Sequence, residues 1–195
     1  MRIAGGEFGG RTLVVPKTGD IRPTQDRVRE ALFSMLMSEI PGCTFLDLFA
    51  GSGGVGLEAL SRGAARATFV ERDPRHANIL RKNVEALYAR KEGGSAGAPI
   101  SVVVADAYRF IKSFSGASFD VAFADPPYAL GEEKGYADFL GALAERDVVR
   151  RGGCFVAEMT AKQPPDSTPG WTLARDRQYG KTRLCIWRRD DAAKA

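Results

Sequence analysis

A mostly parallel α/β sheet is the fold this sequence predicts, on three observations. Short apolar runs rich in β-branched and aromatic residues alternate with segments of helical periodicity. The first strong run, Thr44 to Ala50, feeds a glycine-rich turn, and that turn opens a helix. The last two extended runs, Trp171 to Tyr179 and Thr182 to Arg188, face each other across Gly180-Lys181 and read as an antiparallel β-hairpin.

The elements follow in order. Residues 1–16 read as two short strands around Gly9-Gly10, a short N-terminal β-hairpin extension stopped by Pro16. Thr24 or Asp26 caps a helix with Val28, Ala31, Leu32, Met35 and Leu36 on one side, ended by Pro41-Gly42. After strand 44–50, Val55 to Ser61 is helical, Ala67 to Glu71 is a strand, and Pro74 opens a helix to Tyr88. Lys91 to Pro99 is a glycine-bearing loop. Strand 100–105, a short helix at 108–114, strand 119–124, helix 136–149 and strand 154–158 complete the alternation. Strands alternating with helices imply right-handed crossovers and a sheet covered on both faces. At 195 residues the chain fits one domain, 1–195, with 1–40 as the hairpin-and-helix extension and 41–189 as the core.

Composition excludes several function classes. An apolar fraction of 44% and a charged fraction of 27% describe a globular protein with a real core. No apolar run approaches the roughly 20 residues of a membrane span, and the start shows no secretory stretch, so a cytoplasmic protein with no membrane partner is expected. Cys43, Cys154 and Cys185 lack metal-like spacing and read as buried free thiols, and the lone histidine, His76, reads as a surface residue. No metal site and no histidine triad is therefore expected. A net charge of +4 is mild, but basic residues gather at both ends: Arg2, Arg11, Lys17, Arg22, Arg27 and Arg29, then Arg175, Arg177, Lys181, Arg183, Arg188 and Arg189. Brought to one face they form a basic rim for phosphates; scattered, they are an ordinary solvated surface.

The candidate chemistry lies at the strand ends. Gly51-Ser-Gly53-Gly-Val-Gly56 satisfies G-x-G-x-x-G between a strand and a helix, where main chain without Cβ admits a ligand. Glu71, twenty residues after Gly51, can accept both hydroxyl hydrogens of a ribose. These two features fit NAD and S-adenosylmethionine (SAM) equally. Asp47, before the turn, suits the α-ammonium of a methionine moiety and not a pyrophosphate, and Asp106 can accept from an adenine amine. The plain alternative is that Asp47 and Asp106 only cap strand ends. In Asp125-Pro126-Pro127-Tyr128, two prolines remove amide donors, so carbonyls and the carboxylate offer acceptors only. Asp125 and the Pro126 carbonyl can hold both hydrogens of an aryl amine, turning its lone pair towards an incoming methyl, while Tyr128 stacks on the base. A proline-stiffened loop with a core-packed tyrosine is the bland reading of the same four residues.

Several segments carry a resemblance. Arg2-Ile-Ala-Gly-Gly6, Gly10-Arg11-Thr-Leu13, Arg22-Pro-Thr-Gln-Asp26-Arg27-Val-Arg29-Glu30-Ala-Leu-Phe33, Phe45-Leu-Asp-Leu-Phe-Ala-Gly-Ser-Gly-Gly54, Asp125-Pro-Pro-Tyr128 and Tyr179-Gly-Lys-Thr182 resemble, in this order, the RsmD family of class I SAM-dependent methyltransferases. The resemblance implies a Rossmann-like seven-stranded sheet and methyl transfer from SAM to N2 of a guanine in 16S ribosomal RNA. It implies that Arg22-Pro23-Thr24 lies near the methionine end of the cofactor and that Asp125, Pro126 and Tyr128 hold the base. The expected cofactor set is Arg22, Thr24, Asp47, Phe49, Ala50, Gly51, Ser52, Gly53, Glu71, Arg72, Asp106 and Ala107. The expected catalytic set is Asp125, Pro126, Pro127 and Tyr128, with Arg2, Arg11 and Lys181 as RNA contacts. The partner is 16S rRNA or a small-subunit assembly particle, met by a monomer.

Three alternatives remain. Aspartate at 125 also fits adenine-N6 methylation of DNA or RNA, although a DNA enzyme would need a larger recognition segment. An NAD oxidoreductase shares the glycine turn and Glu71 but not the Asp-Pro-Pro-Tyr motif. A non-catalytic RNA-binding protein on this fold would not need Asp47, Glu71, Asp106 and Asp125 together.

Overall fold

The computed structural model describes residues 1–16, 26–89, 99–126 and 136–191. Its elements are α1 (Asp26–Met35), β1 (Thr44–Asp47), α2 (Gly54–Ser61), β2 (Arg66–Glu71), α3 (Pro74–Tyr88), β3 (Ile100–Val104), α4 (Ala107–Lys112), β4 (Phe119–Ala124), α5 (Ala137–Glu145), β5 (Val149–Thr160), β6 (Trp171–Tyr179) and β7 (Thr182–Arg189). The strands form a seven-stranded sheet in the order β3-β2-β1-β4-β5-β7-β6. By compactness the chain divides into two units, Met1–Ala107 and Tyr108–Ala195.

In the first unit β1 pairs in parallel with β2, and β2 with β3. β1 and β2 pack against α2, and β2 and β3 against α3, with Phe45, Leu46, Phe69 and Val70 of the strands and Leu57, Ala59 and Leu80 of the helices fully enclosed. α3 starts where the sequence dictates: Pro74 fills its first turn, and the Asp73 carboxylate accepts from Arg75 N at 2.8 Å. β1 is shorter than the expected run to Ala50. Past Asp47 the chain turns instead, its Ala50 N donating to Val70 O at 3.0 Å. The expected N-terminal hairpin is reduced to one antiparallel bridge, Arg2–Thr12, with Ile3 N donating to Arg11 O at 3.0 Å.

In the second unit β4 and β5 are parallel, and β7 lies antiparallel between β5 and β6. Tyr136, Phe139, Phe155, Trp171 and Trp187 form its aromatic core, with Phe155 and Trp187 stacked at 5.9 Å and Trp171 Nε1 donating to Leu140 O at 2.9 Å. The expected helix 136–149 stops at Glu145. Asp147 takes a left-handed φ of 50°, and its carboxylate receives Arg189 Nη2 at 2.7 Å. Strand β5 begins earlier than expected, at Val149. Between the pairs Phe119–Val149 and Val121–Cys154 it bulges through Arg150-Arg151-Gly152-Gly153.

Charge burial also departs from the basic rim. Arg29 is 1% exposed and ion-paired to the fully buried Glu58, with Nε to Oε2 at 2.6 Å. Arg189 is buried and donates to the carbonyls of Val149 and Ala144. Arg183 and Arg188 are half-buried, on the Gln163 and Gly152 carbonyls. These four arginines hold the fold together; Arg2, Arg11 and Arg27 of the first unit and Arg175, Arg177 and Lys181 of the second are exposed. Among the described residues no helix is long and apolar enough to cross a membrane, and no cluster of metal-ligating side chains forms. The three cysteines are buried free thiols.

Candidate active site

The first unit gathers one half of the expected site at the carboxyl ends of three parallel strands. Asp47 closes β1, Glu71 closes β2, and Asp106 follows β3, whose Val104 lies in register with Glu71. Between Asp47 and α2 the chain makes the glycine turn. Gly53 is the N-cap of α2 at φ 88°, and a Cβ there would come within 2.2 Å of Leu80 Cδ1. Gly56 is excluded from substitution by contact, because a Cβ would lie 2.3 Å from Phe69 Cε1. Helix and strand therefore approach as closely as glycine permits, which is the packing role of the third glycine in such turns.

The two buried carboxylates hold the turn from below. Asp47 Oδ2 accepts from Gly56 N at 3.0 Å, and Glu71 Oε2 accepts from Gly51 N at 2.8 Å. Glu71 Oε1 also accepts from Asp73 N at 2.8 Å. Each carboxylate oxygen has a second lone pair, so neither group is saturated by these bonds. Burial pushes the Asp47 carboxyl up to about 7, and the nearby Glu71 charge adds to the rise, while the Gly56 and Phe49 amides oppose it. A carboxyl poised at that value binds a cation strongly once ionised.

The remaining members fall into place unevenly. Ala50, Gly51, Ser52 and Gly53 are buried in the turn, Phe49 is half-buried, and Ala107 is buried at the start of α4. Asp106 is half-buried, whereas Arg72 is exposed. Arg22, Thr24, Pro127 and Tyr128 lie outside the described residues. In the second unit Asp125 and Pro126 are half-buried directly after β4. Ten residues beyond Pro126, the buried Tyr136 donates from its hydroxyl to Glu158 O at 3.0 Å. Burial first, and the Asp125 charge second, keep that phenol well above its ordinary range. Arg2, Arg11 and Lys181 are exposed, as an RNA contact requires.

Two residues of this neighbourhood escape sequence reasoning. His76 is no surface residue: its side chain is 15% exposed, with Nδ1 3.9 Å from Glu71 Oε1. Asn83 is buried and bonds the turn through Ser52 O at 2.9 Å. A signal for Asn83 exists, since it interrupts the apolar stripe Ala77, Leu80, Val84 and Leu87 of α3.

The strand order, with an antiparallel β7 inserted beside β5 and a carboxylate at the end of β2, defines a Rossmann-like methyltransferase class rather than the all-parallel dinucleotide order. Comparison with known proteins agrees. An Escherichia coli structure provisionally assigned as a methyltransferase is 33% identical, with a TM-score of 0.82 over 97% of this chain and 98% of that one. An RNA methyltransferase from Salinibacter ruber, solved with S-adenosyl-L-homocysteine, shares the fold at 16% identity and a TM-score of 0.63, covering 88% of this chain and 95% of that one. The sequence profile of the family described as "Conserved hypothetical protein 95" matches residues 1–188. Several curated relatives carry the name Ribosomal RNA small subunit methyltransferase D, two of them from Escherichia coli K12 and Haemophilus influenzae. The one from Escherichia coli K12 is 36% identical over 193 residues, 97% of this chain and 90% of the relative. The one from Haemophilus influenzae is 37% identical over 184 residues, 92% and 89%. The chain belongs to this family, the RsmD family whose motifs it resembles, and is a methyltransferase.

Proposed function

We propose that this protein transfers a methyl group from SAM to the exocyclic N2 amine of a guanine in small-subunit (16S) ribosomal RNA. The observation that supports it best is similarity along nearly the whole chain to relatives named for small-subunit rRNA methylation, with the acidic strand ends intact. The donor set suits the cofactor. Glu71 has lone pairs left for two ribose hydroxyls, Asp106 has a carboxylate for the adenine amine, and Asp47 is a buried carboxyl that an α-ammonium would ionise.

Bound SAM supplies an electrophilic methyl on a sulfonium centre. The chain's part is to present the nucleophile in line, because attack on such a methyl depends more on position than on a strong base. Asp125 and the Pro126 carbonyl accept the two amine hydrogens, which directs the nitrogen lone pair at the methyl. An amine nitrogen that has taken a methyl must shed one proton, and we assign the Asp125 carboxylate as its acceptor. The guanine must first leave its stack, and the exposed Arg2, Arg11 and Lys181 supply phosphate contacts that hold the RNA meanwhile. We assign the protein to the cytoplasm, acting as a monomer.

The test is transfer of labelled methyl from SAM to rRNA taken from cells lacking this protein, as free RNA and as isolated small subunits. Mass spectrometry of the product nucleosides should show N2-methylguanosine. N6-methyladenosine would overturn the base assignment, and no incorporation into either substrate would overturn the reaction.

A further inference from the structure

The N-terminal segment, residues 1–16, does more than present Arg2 and Arg11. It runs along α2 and is tied to both ends of that helix. At the C-terminal end Glu7 N donates to Ser61 O at 2.6 Å, Phe8 N to Ser61 Oγ at 2.8 Å, and Ala4 N to the buried Glu58 carboxylate at 3.2 Å. The approach is so close that a Cβ at Gly6, whose φ is 78°, would fall 1.8 Å from Ser61 O. At the N-terminal end the Met1 side chain lies on Gly54, where a Cβ would come within 2.5 Å of Met1 Cε.

The remaining link is Asn83 of α3. Its Oδ1 accepts from Val14 N at 2.8 Å, and its Nδ2 donates to Val14 O and to Ser52 O, each at 2.9 Å. The carboxamide thus pairs with Val14 as a neighbouring strand would, and gives its other hydrogen to the glycine turn. Asn83 is 2% exposed on an otherwise apolar stripe, where a leucine would bury more apolar surface. The residues it and Glu71 grip are adjacent, and the two bonds flank the peptide between them: Glu71 holds Gly51 N from β2, and Asn83 holds Ser52 O from α3.

We propose that Asn83 is a positioning residue for the cofactor turn, fixing Ser52 by bridging it to Val14, so that the N-terminal segment braces the SAM site. This rests on the reading of the turn as that site. An unbraced turn samples other conformations and binds SAM with the penalty of reordering.

Asn83→Ala tests it, with SAM affinity measured by calorimetry and initial rates measured against both SAM and rRNA, well below the melting temperature of each protein. Losing these buried bonds should raise the Kd and KM for SAM about tenfold while the KM for rRNA stays at the wild-type value. Unchanged SAM constants beside a lowered Tm would reduce Asn83 to a core residue and overturn the proposal, as would SAM and rRNA constants that rise together. If Asn83→Ala is insoluble, Asn83→Asp carries the same test. It keeps the size and the acceptor for Val14 N but lacks the amide hydrogens that Val14 O and Ser52 O accept, so the same split is expected. Wild-type protein that binds no SAM would overturn the reading of the turn itself, a failure seen before any substitution is made.

Discussion

Replacing Asp47 by asparagine measures the electrostatics beneath the glycine turn. Asp47 is 2% exposed, and burial lifts its carboxyl from the ordinary 3.8 to about 7. Between those two values the folded protein keeps a proton that the unfolded chain has released. Stability therefore falls as pH rises through this window, and the loss is complete once pH passes the folded value. That is opposite in sign to a salt-bridged carboxylate, which loses its contribution as pH falls. Linkage with these two values gives a loss of about 2–3 kcal/mol between roughly pH 5 and pH 8. For a domain of this size the corresponding change in Tm is roughly 4–12 °C. The asparagine side chain of D47N would still accept from Gly56 N but could not ionise. Its poorer fit against the Phe49 amide acts equally at every pH and cancels in the comparison. Thermal melts of both proteins without SAM, at steps across that range, should show the Tm difference, D47N minus wild type, growing by this amount towards high pH. A difference that stays flat would refute the argument that burial holds Asp47 near neutrality.

The other expectations concern separate links of the chain from fold to reaction. Glu71→Ala removes an acceptor and frees the amides of Gly51 and Asp73, so SAM affinity should fall about tenfold to a hundredfold, read by calorimetry. Asp125→Ala should lower turnover about a hundredfold or more with SAM affinity preserved, because its partner is the base; near-normal turnover would remove the orienting role given to it. Arg29→Ala strands the buried Glu58 with Arg62 and one backbone amide as its described partners, and should cost about 3–5 kcal/mol in urea unfolding.

The order of strands and helices was written in the sequence, because apolar periodicity and glycine or proline punctuation act locally. Strands β2 and β3, helix α3 and the closing hairpin lie where those signals put them. So do the acidic residues at the strand ends, since a βα unit places the residue after each parallel strand at one edge of the sheet. Local signals failed where distant groups decided the outcome. Helix α5 stops early in a left-handed cap at Asp147, with Val148 N donating to Leu143 O and Asp147 N to Ala144 O, and Arg189, more than forty residues further on, holds the Asp147 carboxylate. Strand β5 absorbs a double glycine because β4 offers it a partner on either side of the bulge. Arg29 looks like one more surface charge until Glu58, Arg62 and Ala4 converge on the same buried point. The turn shows the division most clearly. Its glycines announce a close approach, but that the approaching groups are Leu80, Phe69 and Met1, and that Asn83 ties Ser52 to Val14, follows only from chain brought together over long separations. Sequence determined what each segment can form by itself; tertiary structure decided which polar groups could be buried, because only a partner from elsewhere in the chain offsets the cost of taking them out of water.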